Sequence, residues 1–173
     1  MKDSDGTPNV ILRLSKSFLV MAIAFFATLV AFGNVTDYDS NFAFVQHVFS
    51  MDTIFPEASI KYRAIDTPWM HHAGYLFIIL LEALTALLCW VGGFKLLANR
   101  NAPAIEFNKS KGVAIAGLTL GFLTWQVGFM SMGGEWFGMW MSESWNGVPS
   151  AFRIFMTMLG VLIYLALPET DLE

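Results

Sequence analysis

Four long apolar runs, at roughly Phe18 to Phe32, Gly74 to Leu97, Val113 to Met132 and Phe152 to Leu167, leave this chain few ways to fold. Crossing the hydrocarbon of a bilayer takes about 20 predominantly apolar residues in helix, and backbone polar groups there must be satisfied within the segment, so helices are the direct solution. With 55% hydrophobic and 14% charged residues gathered in such blocks, 173 residues carry more apolar surface than one water-soluble core would hold. The sequence therefore predicts an all-α fold, a four-transmembrane-helix bundle making a single integral membrane domain over residues 1–173. The spans are placed at about 12–33, 69–97, 111–132 and 149–167. Residues 1–10, with their Gly, Pro, Asp and Ser, are expected to form a disordered cytoplasmic tail. The first run follows Lys2, Arg13 and Lys16 as a secretory signal would. No small-x-small cleavage site precedes Gly33-Asn34, however, so a retained helix is expected.

Basic residues set the expected orientation. Lys2, Arg13, Lys16, Lys95, Arg100, Lys109 and Lys111 fall on one side, against Lys61, Arg63 and Arg153 on the other. The positive-inside rule then puts both termini in the cytoplasm and the segments 34–70 and 133–149 outside. In the first outer loop Phe42, Val45, Val48 and Phe49 share one helical face, which predicts a short interfacial helix capped by Asp39 or Ser40. Thr53 to Asp66 is expected as loop or a small strand pair. Thr67-Pro68 is a start signal for the second span, with Thr67 as cap, and Pro149 marks the fourth. Trp136, Phe137, Trp140 and Trp145 make the segment between spans three and four an aromatic interfacial element.

Span three carries Ala114, Gly117, Gly121, Thr124 and Gly128 at alternating spacings of three and four, which holds the small side chains on one face for close helix packing. Ala24, Ala27, Thr28 and Ala31 give span one a weaker version. Spans one and three are therefore expected to meet closely, or to offer these faces to another protein.

Glu82 is the most unusual side chain, an acid between leucines in span two. At depth a carboxylate must be neutralised, paired or wet, so it should face inward. Tyr75 lies seven residues back and His71 eleven. By the helical period they fall within about 20° of Glu82, in a stripe about 16 Å long towards the outer surface. Arg153, about a turn into span four, is the cation placed to pair with the acid, and structural pairing is preferred over proton conduction or quinone binding. With one acid at depth, the inner halves of the spans look dry.

His47, His72 and Glu135 are outer-face ligand candidates, but adjacent His71 and His72 point about 100° apart on a helix and no His-x3-His pair exists, so no metal site is expected. No histidine sits centrally in a span, which disfavours bis-histidine haem. The single Cys89 has no disulfide partner, the basic residues form no nucleic-acid patch, and the methionines read as packing residues. Nucleotide loops, nucleophile elbows and paired catalytic carboxylates are absent from the sequence, so a non-enzymatic role is expected, with no cofactor required.

Several blocks carry a family resemblance. These are Asn34-Val-Thr-Asp-Tyr38, the stretch from Asn41 through His47 to Asp52, His71-His72, Glu82-Ala-Leu-Thr-Ala86, Gly133-Gly-Glu-Trp-Phe137, Met139-Trp140, Trp145-Asn-Gly147 and Ala151-Phe-Arg153. Nearly end to end, the chain resembles a bacterial family of predicted small integral membrane proteins of unknown function. The resemblance implies four spans in an inner membrane and assigns no functional residue. The leading expectation for function is an accessory or structural subunit packing in the bilayer against other membrane subunits of a respiratory or other redox complex. The alternative is a quinone-, haem-, metal- or proton-handling protein that uses the polar stripe.

Overall fold

The computed structural model describes residues 9–170 and is all-helical among them, with no strand in the first outer loop or elsewhere. α1 runs Val10–Thr36, α2 Tyr38–Ser50, α3 Pro68–Ala98, α4 Ala104–Ser110, α5 Gly112–Leu123 and α6 Val148–Ala166. Between α5 and α6, Thr124–Trp136 continues in π-helical geometry, and single 3-10 turns lie at Ser59–Arg63 and Met139–Met141. Four stretches are long and apolar enough to cross a membrane: Val10–Thr36, Pro68–Ala98, Ala104–Trp136 and Val148–Ala166. The four-span bundle read from the sequence is thus the fold, with the first and third spans longer at both ends than expected.

Local signals explain most boundaries. Asn9 accepts from the amide of Leu12 and caps α1, so the helix begins inside the stretch expected to be tail; the rest of that expectation, residues 1–8, lies outside the described residues. Proline occupies the first turn of α3 and of α6, where its missing N–H leaves no gap. Thr67 precedes α3 but its side chain makes no capping bond, and α2 starts one residue after α1 ends, so neither Asp39 nor Ser40 is its cap.

Each span packs chiefly on the next in sequence, α1 on α3, α3 on α5, and α5 with the π segment on α6, while α1 and α6 close the ring. The expected close contact of spans one and three is therefore corrected. The small face of α5 is spent on α3 and α6: a Cβ on Gly117 would lie 2.8 Å from Cys89 Sγ, and one on Gly121 would lie 2.6 Å from Met158 Sδ. Span two contributes a glycine of its own, since a Cβ on Gly92 would fall 2.5 Å from the backbone of Ala114. Short connections favour adjacent antiparallel neighbours, and small residues on both partners let those backbones approach. Val20, Ala24, Cys89, Leu118, Phe155 and Met158 form the common core, while Phe18, Phe25, Leu29 and Phe32 face outward from α1, as a lipid-facing stripe does.

A second apolar cluster, Val48, Met51, Ile54, Phe137 and Met139, sits beneath α2 and joins the two connecting segments at that end of the bundle. At the opposite end the start of α1 meets the segment that follows α6. Arg13 and Lys16 on α1 are fully buried, Lys16 Nζ bonds the carboxylate of Glu169 and the carbonyl of Leu167, and Lys111 Nζ donates to the same carbonyl at 2.7 Å. Asn108 clamps the backbone of Glu169 through two 3.0 Å hydrogen bonds. Arg13 reaches the carbonyls of Arg100 and Ala102 and stacks over Phe107. These cations, counted in the sequence for orientation, are folded inward where the chain after α6 returns an acid to them.

Candidate functional site

Glu82 lies near the midpoint of α3 and is 1% exposed. Its partner is Asn34, not Arg153. Asn34 Nδ2 donates to Glu82 Oε2 at 2.7 Å, and Tyr75 donates its hydroxyl to the Asn34 carbonyl at 3.0 Å. Arg153 is exposed on α6 and donates to Ser150 Oγ at 3.1 Å, and no Glu82–Arg153 ion pair occurs among the described residues. The expected Glu82–Arg153 pairing is thus corrected: α6 turns Arg153 outward, and α1 extends far enough to bring Asn34 to the acid. Placed beyond the span, Asn34 read as a turn residue, whereas α1 continues to Thr36 and carries it inward. The signal was available: Ala24, Ala27, Ala31 and Asn34 continue one spacing of three and four, and the three alanines are buried.

Glu82 opens on a cavity of about 350 Å³ walled by all four spans and by α2. Tyr75, Asn34, Asn41, Asn146 and Ser150 supply the other polar side chains, and Trp125 and Phe129 the aromatic wall. No Lys, Arg or His lines it. Asn34 is the hydrogen-bond partner Glu82 has among the described residues, and Oε1 makes no hydrogen bond to them. Trp125, 3% exposed, likewise has an indole N–H with no hydrogen bond among the described residues. Trp125 and Phe129 stand four residues apart in the π segment, a helix geometry seen mostly as short bulges and often at functional sites.

Next to this chamber lies an apolar pocket of about 240 Å³, with Phe44, Val45, Ile78 and Phe129 as shared walls. Phe49, Phe77, Phe137 and Met139 line its far side, and Gly128, expected on the packing face, borders it with open space above its Cα.

The stripe predicted on α3 is divided. Tyr75 and Glu82 line the chamber, while His71, also buried, directs Nε2 to the carbonyl of Ile65, packs edge-on to Phe49, and has no hydrogen bond at Nδ1. The outer-face candidates stay apart. His72 stacks on Phe42 with centroids 4.0 Å apart and bonds the Tyr38 hydroxyl, whereas His47 bonds Asp52 and stacks on Trp145 at 4.5 Å. Glu135 is exposed at the end of the π segment. Among the described residues no three His, Cys, Asp or Glu side chains converge as metal ligands would.

Four helices of membrane-crossing length, packed side by side with a partly open chamber between them, define an integral membrane protein of the four-span helical-bundle class. The chain belongs to the family described as predicted small integral membrane protein (DUF2165), which covers residues 12–168. Neither a curated protein nor a solved structure matches it.

Proposed function

We propose that this protein holds a small lipid-soluble molecule in the Glu82 chamber, within a bacterial inner membrane and with both termini cytoplasmic. The single observation that carries the reading is the carboxyl of Glu82, buried at mid-span in the lining of a cavity of ligand size, with one oxygen making no hydrogen bond to the described residues. Keeping an acid at that depth opposes the stability of the bundle, and a site for a polar headgroup is a physical reason to keep it. On the small face of span three, Gly117 and Gly121 are already filled by α3 and α6 of the same chain, which leaves less of that face for a partner.

Native mass spectrometry of protein released gently from its own membrane tests the proposal. A one-to-one small-molecule adduct is expected on the wild type and is lost on substituting Glu82→Leu. An identical adduct profile in wild type and variant would sink it.

A second reading, an accessory subunit of a larger inner-membrane redox assembly, is favoured by one feature. Arg153 is exposed beside a groove of about 350 Å³ between α1 and α6, lined by Ile23, Phe26 and Thr157, where a helix with an acid would fit. Recovery of a stoichiometric partner chain in the same spectra, lost on Arg153→Leu, would favour it.

A further inference from the structure

We infer that the chamber takes the headgroup of an uncharged lipid-soluble molecule, one with a hydroxyl donor beside a second oxygen acceptor, and that its apolar body enters the adjoining pocket. This rests on the ligand-holding reading above and names its chemistry.

The open polar atoms decide the headgroup. Tyr75 spends its hydroxyl proton on the Asn34 carbonyl, Asn34 spends Nδ2 on Glu82, and Asn41 spends Nδ2 on the Asp37 carbonyl. These side chains leave open both kinds of group: Glu82 Oε1 and the side-chain carbonyls of Asn34 and Asn41 as acceptors, and the second amide hydrogen of Asn34 and of Asn41 as donors. On the donor side Trp125 Nε1–H is open at depth, and Ser150, whose oxygen already accepts from Arg153, keeps its proton at the rim. With donors and acceptors both open and no Lys, Arg or His among the described lining residues, the occupant that fits is uncharged and both donates and accepts. A hydroxyl paired with a neighbouring ether, ester or second hydroxyl oxygen does both. A phosphate monoester is mostly acceptor, carries negative charge towards a carboxyl, and finds no cation in the lining. An ordinary phospholipid headgroup is thus mismatched here, although lipid surrounds the protein.

The body follows from the second pocket. It shares the Phe44, Val45, Ile78 and Phe129 walls with the chamber, and beyond them its lining is apolar, with Phe, Met and Val48 side chains and three glycines. A chain or ring attached to the headgroup can therefore stay in apolar surroundings while the hydroxyl remains at Glu82.

The test uses the full-length protein in phosphatidylcholine nanodiscs and three probes. These are monoolein, oleoyl lysophosphatidate with the same chain but a phosphate, and decylubiquinol. Binding is read by native mass spectrometry and by tryptophan fluorescence. Saturable binding of monoolein or decylubiquinol is expected, with lysophosphatidate at least about ten-fold weaker. A preference for monoolein assigns the headgroup to a glyceride, and a preference for decylubiquinol assigns it to a quinol. The Glu82→Gln variant replaces the open acceptor with an amide donor while keeping the side-chain volume. It should weaken the hydroxyl probes about ten-fold and narrow or reverse the gap to lysophosphatidate, with the melting temperature as a check on folding. Trp125→Phe should weaken the hydroxyl probes and leave the order of the three unchanged. Lysophosphatidate binding as tightly as monoolein, and responding to Glu82→Gln, would overturn the headgroup assignment while leaving the site. Binding of no probe that responds to Glu82→Gln or Trp125→Phe would overturn the site itself, with a water-filled chamber as the remaining description.

Discussion

Asn34 on α1 and Glu82 on α3 meet through a 2.7 Å hydrogen bond between Nδ2 and Oε2, and this contact joins the first two spans at the wall of the chamber. It satisfies one carboxyl oxygen, fixes the rotamer, and leaves the other oxygen without a hydrogen bond to the described residues. The Tyr75 hydroxyl holds the Asn34 backbone from the same side. Three side chains on two helices thus act as one unit.

Removing one member of that unit should be felt by the other. Asn34→Leu and Glu82→Leu, alone and together, form a cycle in which a coupling of about 1–3 kcal/mol is expected, because each single change strands a buried polar group. Reversible unfolding in mixed micelles measures it. Additive effects would show that the contact contributes nothing beyond packing.

Lys16 and Glu169 are buried together at the terminal end. Lys16→Met leaves the carboxylate to Arg13, whose Nε is 3.8 Å away, and to the Asn108 clamp on its backbone. A loss approaching about 3 kcal/mol is expected for Lys16→Met or Glu169→Leu alone, and the double variant should recover part of it. Thermal denaturation of the four proteins in one detergent settles the sign and size of the coupling.

Close helix approach predicts opposite outcomes at two glycines. Gly117→Val drives a side chain into Cys89 and Leu88 and should lower the melting temperature sharply or abolish folding. A Cβ on Gly160 meets nothing within 4 Å, so Gly160→Ala in mid-α6 should stabilise by about 0.5–1 kcal/mol through helix propensity. Equal effects at the two positions would contradict the packing described.

Cys89 has no exposed surface and packs against Gly117. A membrane-permeant maleimide should therefore label it only after denaturation. Rapid labelling of the folded protein would mean that α3 and α5 separate readily.

Orientation is open to direct measurement. In a Cys89→Ala background, Glu57→Cys places an exposed thiol in the loop after α2 and Asn101→Cys places one between α3 and α4. An impermeant maleimide added to intact inverted-free cells with a permeabilised outer membrane should modify the first and spare the second. The reverse pattern would place the termini outside.

Much of the fold was legible because lipid permits little choice. The four runs had to be helices, Pro68 and Pro149 had to open two of them, and the periodicity of Phe42, Val45, Val48 and Phe49 required α2. Half of the chamber was legible as well, since Glu82 and Tyr75 share a face by spacing alone. The partner of Glu82 was not, because charge complementarity suggested Arg153 while the rotation of α6 turned that side chain outward.

Hydropathy and helical period, both local properties, determined the number of spans, the buried faces and the inward direction of the acid. Which helices became neighbours depended on where small residues on two chains of contact coincided, as at Gly92 with Ala114 and Gly117 with Cys89. The pairing of Asn34 with Glu82 across 48 residues, and of Lys16 with Glu169 across 153, depended on that same arrangement. A hydrogen bond needs its atoms within about 3 Å, and only the packed bundle sets distances between segments to that tolerance.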